Sequence, residues 1–171
     1  DVQIDNQVKC KTRVADHGEV FTAQREVNAM LDMVKQETLR IDSRFLEPAC
    51  GSGNFLVEVL NRKLDVLKSK YKKNQLEYER YLIIAISSIY GIDILEDNVQ
   101  ECRQRLYDIF DTEYSSIYKK SSKDDVRESV KFVLEKNIIF GDALTLTRVD
   151  SEEPIIFSEW SAVNSNKIKR R

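Results

Sequence analysis

Glu47 stands a few residues ahead of two glycines in the run Phe45-Leu46-Glu47-Pro48-Ala49-Cys50-Gly51-Ser52-Gly53-Asn54-Phe55-Leu56. The apolar residues before it predict a short buried strand, which would deliver the carboxylate to its carboxyl end. Gly51 and Gly53 lack a Cβ, so the backbone can turn sharply there and pass close to a ligand. Asn54 and Phe55 would then open a helix whose first N–H groups face the same space without partners. This is the chemistry of a small-molecule cofactor site. A dinucleotide turn receives a pyrophosphate and avoids an acid at that point. A ligand carrying an ammonium group, as the methionine end of S-adenosylmethionine does, suits the acid.

Positioning that carboxylate takes a sheet and its helices. Strands are predicted at Arg44 to Glu47, Ser88 to Ile94 and Asn137 to Phe140. The last two are closed by Asp93 and by Gly141-Asp142. Between them, apolar residues at helical spacing predict helices from Asn54 to about Lys68, Glu77 to Ser88, Glu96 to about Tyr118 and Asp124 to Glu135. A further helix is predicted from about Ala23 to Glu37, with Thr22 as its N-cap. Pro154 to Phe157 reads as a short fourth strand. Residues 1–16 are polar and weakly patterned, either poorly ordered or a strap. Strands alternating with helices argue for an α/β fold with a mostly parallel sheet, whose ligands bind at the carboxyl ends of the strands. Glu47, Asp93 and Asp142 would all lie along that edge. One acid after a strand is as readily a helix N-cap. Three together, in a chain whose five glycines each lie in a short segment that looks like part of a cofactor site, favour a cofactor site.

The composition sets outer limits. The formal net charge of −2 does not announce a nucleic-acid binder. No apolar run approaches the ~20 residues that span a bilayer, so no membrane partner is expected. Cys10, Cys50 and Cys102 are odd in number and widely spaced. That argues against a disulfide framework and against zinc or another metal, and fits a reducing cytoplasm. His17 is the only histidine, so no triad or metal cluster can form around it.

In this order the segments resemble the S-adenosylmethionine-dependent DNA methyltransferases that modify exocyclic amino groups, above all N6-adenine enzymes of restriction–modification systems. Gly18-Glu19-Val20-Phe21-Thr22 resembles the family's N-terminal motif, with Ala23 where Pro is usual. Leu46-Glu47-Pro48-Ala49-Cys50-Gly51-Ser52-Gly53 is close to the glycine-loop motif. Tyr90-Gly91-Ile92-Asp93-Ile94 and Phe140-Gly141-Asp142-Ala143-Leu144 resemble the next two motifs. The resemblance implies a Rossmann-like methyltransferase fold, with an N-terminal helix and a sheet in the order 3-2-1, incomplete in this chain. It implies cofactor contacts from Phe21, Thr22, Glu47, Pro48, Ala49, Cys50, Gly51, Gly53, Asn54, Phe55, Asp93, Ile94, Asp142 and Ala143. Thr22 would hold the cofactor carboxylate, Asp93 the ribose hydroxyls and Asp142 the adenine amino group. The implied layout is an N-terminal segment over 1–17, a cofactor-binding domain over 18–150 and the start of a downstream region over 151–171.

Two departures stand out. Asp93 follows Gly53 by 40 residues, whereas a compact βαβ unit spaces such an acid by about 20; an inserted helical element at Lys68 to Tyr81 would account for the excess. The family's Asn/Asp-Pro-Pro-Tyr/Phe tetrapeptide is absent, since Pro48 and Pro154 are the only prolines. That tetrapeptide grips the target amino group and stacks the flipped base. The chain is therefore expected to hold the methyl donor without supplying catalytic residues, and to end before its catalytic half. DNA would be met through that downstream region, with other restriction–modification subunits as further partners. An RNA or protein methyltransferase, or a non-catalytic cofactor-binding subunit, remain as alternative readings. Phe21 either lines the pocket or staples the helix, and Cys50 reads as a packing residue rather than a nucleophile. The basic residues from Lys68 to Lys73 read as a solvated helix face.

Overall fold

The computed structural model describes residues 8–163 and 167–171. After the short helix α1 (Lys11–His17), α2 (Gln24–Met33) and a single turn, α3 (Lys35–Thr38), lead into β1 (Phe45–Glu47). The helix expected from Ala23 to Glu37 is thus broken at Val34, where the backbone leaves helical geometry. Its cap is Ala23, with no side-chain hydrogen bond, so Thr22 does not serve as N-cap.

Two helices, α4 (Asn54–Tyr71) and α5 (Gln75–Ser87), join β1 to β2 (Ile89–Asp93). Asn74 caps α5 by accepting from the Glu77 N–H at 3.2 Å. The long spacing from Gly53 to Asp93 is taken up by an added helical element, as expected, but that element is α5 at Gln75–Ser87 rather than Lys68 to Tyr81. A long helix α6 (Glu96–Tyr118), a 3₁₀ turn and α7 (Asp124–Asn137) then lead to β3 (Ile138–Asp142). β4 (Thr147–Arg148) turns back beside β3, and β5 (Trp160–Val163) pairs with β6 (Lys167–Arg170) as a separate ribbon.

The main sheet runs β1-β2-β3-β4, parallel between the first three strands and antiparallel at the last. Its register sets Glu47 level with Gly91 and Asp93 level with Phe140. Parallel pairing through helical crossovers brings all three carboxyl ends to one edge. Phe45, Ile89, Ile138 and Phe140 join the helical core with Leu56, Leu60, Leu82, Leu106 and Phe110. Alternate residues along the strands point the other way. On that second face Ile92 and Ile139 are buried, and the covering chain is residues 155–158 rather than a helix. Ile155 closes over Gly141, and Phe157 meets Tyr90 edge-on at 5.7 Å. The Tyr90 hydroxyl donates to the Ser158 carbonyl at 2.7 Å. Pro154 to Phe157 is accordingly not a strand; only Pro154 bridges to Thr147. Trp160 packs on α7, meeting Phe132 edge-on and donating its indole N–H to Asn137 Oδ1 at 2.8 Å.

Lys63 departs from the usual solvated place of a lysine. It is fully buried in α4 and donates to the carbonyls of Arg40, Ile41 and Ser43 at 2.8 to 2.9 Å. Those bonds fix the turn that aims β1. No helix among the described residues is long and apolar enough to cross a membrane.

Candidate functional site

The turn after β1 is held from three directions. The Cys50 N–H donates to the Ile92 carbonyl at 2.9 Å, and the Gly51 N–H donates to Asp93 Oδ2 at 2.8 Å. From α6, Arg105 Nη1 donates to the Ser52 carbonyl and to Asn54 Oδ1, each at 2.8 Å. Gly51 and Gly53 both have positive φ, 53° and 91°. At Gly53 a Cβ would stand 2.7 Å from Cys102 Sγ. This glycine is thus demanded by both backbone conformation and packing.

Above this turn lies a cavity of about 630 Å³. Each strand end contributes to it: Glu47, Pro48, Ala49, Cys50 and Gly51 after β1, Asp93 and Ile94 after β2, and Asp142 and Ala143 after β3. The start of α4 adds Asn54 and Phe55, and the loop before α2 adds Phe21 and Thr22. Of the residues singled out from the sequence, Gly53 alone is not on the wall, because it lies beneath the loop against Cys102. Phe21 lies over Gly51, where a Cβ would come within 3.1 Å of its ring. Thr22 is exposed, and its carbonyl accepts from Asn54 Nδ2 at 3.2 Å.

The acids on the wall differ in their satisfaction. Asp93 is buried and accepts from the Gly51 N–H, the Leu95 N–H at 2.9 Å and Asn98 Nδ2 at 3.2 Å. Asp142 accepts from the Leu144 N–H at 2.8 Å. Glu47 is half-buried and makes no ion pair among the described residues. Burial pushes its carboxyl above the usual range, partly opposed by the Ala49 N–H. A cation in the cavity would relieve that penalty.

Cys50 and Cys102 are both buried. Hydrogen bonding to Cys102, and then burial, push the Cys50 thiol far up. It stays protonated at neutral pH and is a packing group, not a nucleophile. No group of three or more His, Cys, Asp or Glu side chains gathers as a metal site among the described residues.

Three residues of the wall, Glu19, Asn98 and Leu144, were not singled out as site residues from the sequence. The segment before α2 is strapped down beside the first two, the second of the two readings given for residues 1–16. Lys9 donates to Asn98 Oδ1 and Glu101 Oε2, and Arg13 pairs with both Glu19 and Asp97. Leu144, almost wholly exposed, stands at the mouth beyond Asp142.

Residues 21–155 match the model of the family described as MmeI, DNA-methyltransferase domain. The matched span contains the glycine turn and all three strand-end acids. No curated protein and no solved structure matches the chain.

Proposed function

The chain belongs to the MmeI DNA-methyltransferase domain family, and from that premise we propose that its strand-end cavity holds S-adenosylmethionine for methyl transfer to the exocyclic N6 of adenine in DNA. The family is one of restriction–modification DNA methyltransferases; we read DNA as the substrate and the cytoplasm as the place of action. We read the parallel sheet with its ligand cavity at the strand ends as the Rossmann-like methyltransferase arrangement.

Glu47 is the observation that carries the reading. A half-buried carboxylate with a raised pKa, and with no ion pair among the described residues, faces a cavity. It calls for a positively charged ligand group, which the cofactor's ammonium supplies. The rest of the wall fits the same molecule. Asn54 and Phe55 on the wall open α4, and the first N–H groups of a helix, which have no intrahelical partner, suit the cofactor's carboxylate. Asp93 lies where a ribose would fall, Ile94 presents 44% of its surface as an apolar seat for a base, and Asp142 can accept from an exocyclic amino group. When bound, S-adenosylmethionine supplies an electrophilic methyl group on a sulfonium. These residues bind and orient it; the base-gripping tetrapeptide does not occur in the 171 residues.

Calorimetric titration with S-adenosylhomocysteine tests the assignment. The unaltered chain should bind it, and Glu47→Gln should weaken binding by about 1.5–3 kcal/mol. A chain that gives no binding at all would sink the cofactor reading.

A further inference from the structure

Lys9 precedes the first helix, and the fold sets its ammonium beside the start of α6. It donates to Asn98 Oδ1 at 2.9 Å and to Glu101 Oε2 at 2.6 Å. The same nitrogen stands 5.6 Å from the centre of the Phe21 ring, which lies over Gly51. Lys9 thus touches two residues of the cavity wall, Asn98 and Phe21.

Asn98 passes the contact on. It is fully buried, and its Nδ2 donates to Asp93 Oδ1 at 3.2 Å. The amide is therefore held between a cation and a carboxylate. An ammonium only donates and a carboxylate only accepts, so its two neighbours together fix which end of the amide faces which. Turned over, Asn98 would set its oxygen against the carboxylate and its NH2 against the ammonium. An aspartate or a leucine at this position could not serve both sides.

The other supports of Asp93 are of a different kind. The Gly51 and Leu95 N–H groups are main-chain donors, fixed by the turn after β1 and by the chain two residues on. Asn98 supplies the one side-chain donor that Asp93 has among the described residues, and a side chain can rotate. The adjustable support of Asp93 is thus the one that Lys9 locks. We propose that Lys9 is a positioning residue for cofactor binding: acting through Asn98, it holds the Asp93 carboxylate in the orientation that receives the ribose. The assignment rests on the cofactor reading above.

Calorimetric titration with S-adenosylhomocysteine tests it on the unaltered chain, Lys9→Met, Asn98→Leu and the double variant. Glu101→Gln is the control, because it removes an ion pair of Lys9 and leaves the bond to Asn98. Lys9→Met should weaken binding about fivefold, as expected for one hydrogen bond, and Glu101→Gln should leave it unchanged. In the Asn98→Leu background the Lys9 substitution should add nothing. If Asn98→Leu loses its helical circular-dichroism signal, ligand-free NMR takes its place: the Asn98 side-chain amide resonance should move in Lys9→Met and keep its position in Glu101→Gln. Unchanged affinity in Lys9→Met, an equal loss in Glu101→Gln, losses at Lys9 and Asn98 that add, or a stationary Asn98 amide each overturn the role of Lys9 while leaving the cofactor reading intact. If the unaltered chain binds no S-adenosylhomocysteine, the cofactor reading falls and this role with it.

Discussion

The N–H of Gly51 donates to Asp93 Oδ2 at 2.8 Å, so the turn that closes β1 and the acid that closes β2 are one mechanical unit. The carboxylate that faces the cavity is also the group that shapes its floor.

Asp93→Ala should therefore do two things at once. It leaves the Gly51 and Leu95 N–H groups and the Asn98 amide without their acceptor in a buried place. Denaturant titration should show a loss of about 3 kcal/mol, and ligand affinity should fall in the same variant. Full stability with lost affinity would mean that the turn keeps its shape without Asp93.

Gly53→Ala should destabilise the fold by about 2 kcal/mol or more. The backbone there has φ of 91°, and the new methyl group would meet Cys102 Sγ; both terms are unfavourable. Cys102→Ala in the same chain should recover the steric part only. A double-mutant cycle read by denaturant unfolding should give a favourable coupling of about 1 kcal/mol.

Lys63 makes stability depend on alkaline pH. Burial lowers its ammonium from the usual 10.5 to about 8, while three carbonyls hold the charged form at neutral pH. Between those two values the unfolded chain binds more protons than the folded one, so this group's contribution to stability rises with pH across the window. Below about 8 both states are protonated and the contribution is flat. Subtracting the pH profile of Lys63→Met from that of the unaltered chain isolates the effect. The variant should also be less stable at neutral pH, because three buried carbonyls lose their donor.

Tyr90→Phe removes the donor to the Ser158 carbonyl and should cost about 1 kcal/mol. Because that bond pins residues 155–158 across the second face of the sheet, limited proteolysis near Pro154 should accelerate. An unchanged cleavage pattern would show that Ile155 and Phe157 suffice.

Incubated with labelled S-adenosylmethionine and mixed-sequence DNA, the 171-residue chain should transfer no methyl group above background. The expectation rests on the missing Pro-Pro dipeptide. Robust transfer would show that other residues of the chain grip the base.

Local signals foretold what local forces decide. The long helix α6 spans Glu96–Tyr118 as its pattern predicts, because its acids fall in the first turn and Val99, Cys102, Leu106 and Phe110 form one buried stripe. The acids at the strand ends were visible for the same reason: each ends an apolar run. Lys63 was not, since polarity patterning assigns a lysine to water. Only the turn at Arg40–Ser43, brought close by the fold, supplies its three carbonyls. Pro154 to Phe157 is an apolar run, and in the fold Ile155 and Phe157 pack inward while Ile156 is 78% exposed. Such a run cannot say whether a neighbouring backbone will complete a ladder, and here only the bridge from Pro154 to Thr147 forms. The β5–β6 ribbon has too little apolar alternation to announce itself, with Ser161, Lys167 and Lys169 along it. Glu19 drew no assignment of its own because its partner Arg13 and its buried side chain arise only when α1 folds back onto α6.

Among the described residues β1 has a strand on one side only, and that strand, β2, runs in its own direction. A backbone laid parallel along the open side would end level with Glu47, at the lip of the cavity. The edge would thus act as a ruler for any backbone that paired with it. Sliding such a backbone by one residue would move its terminal side chains by about 3.3 Å and reverse the face each one presents. Whatever groups are to meet a ligand held at Glu47 from that side must therefore be counted out from Phe45, residue by residue.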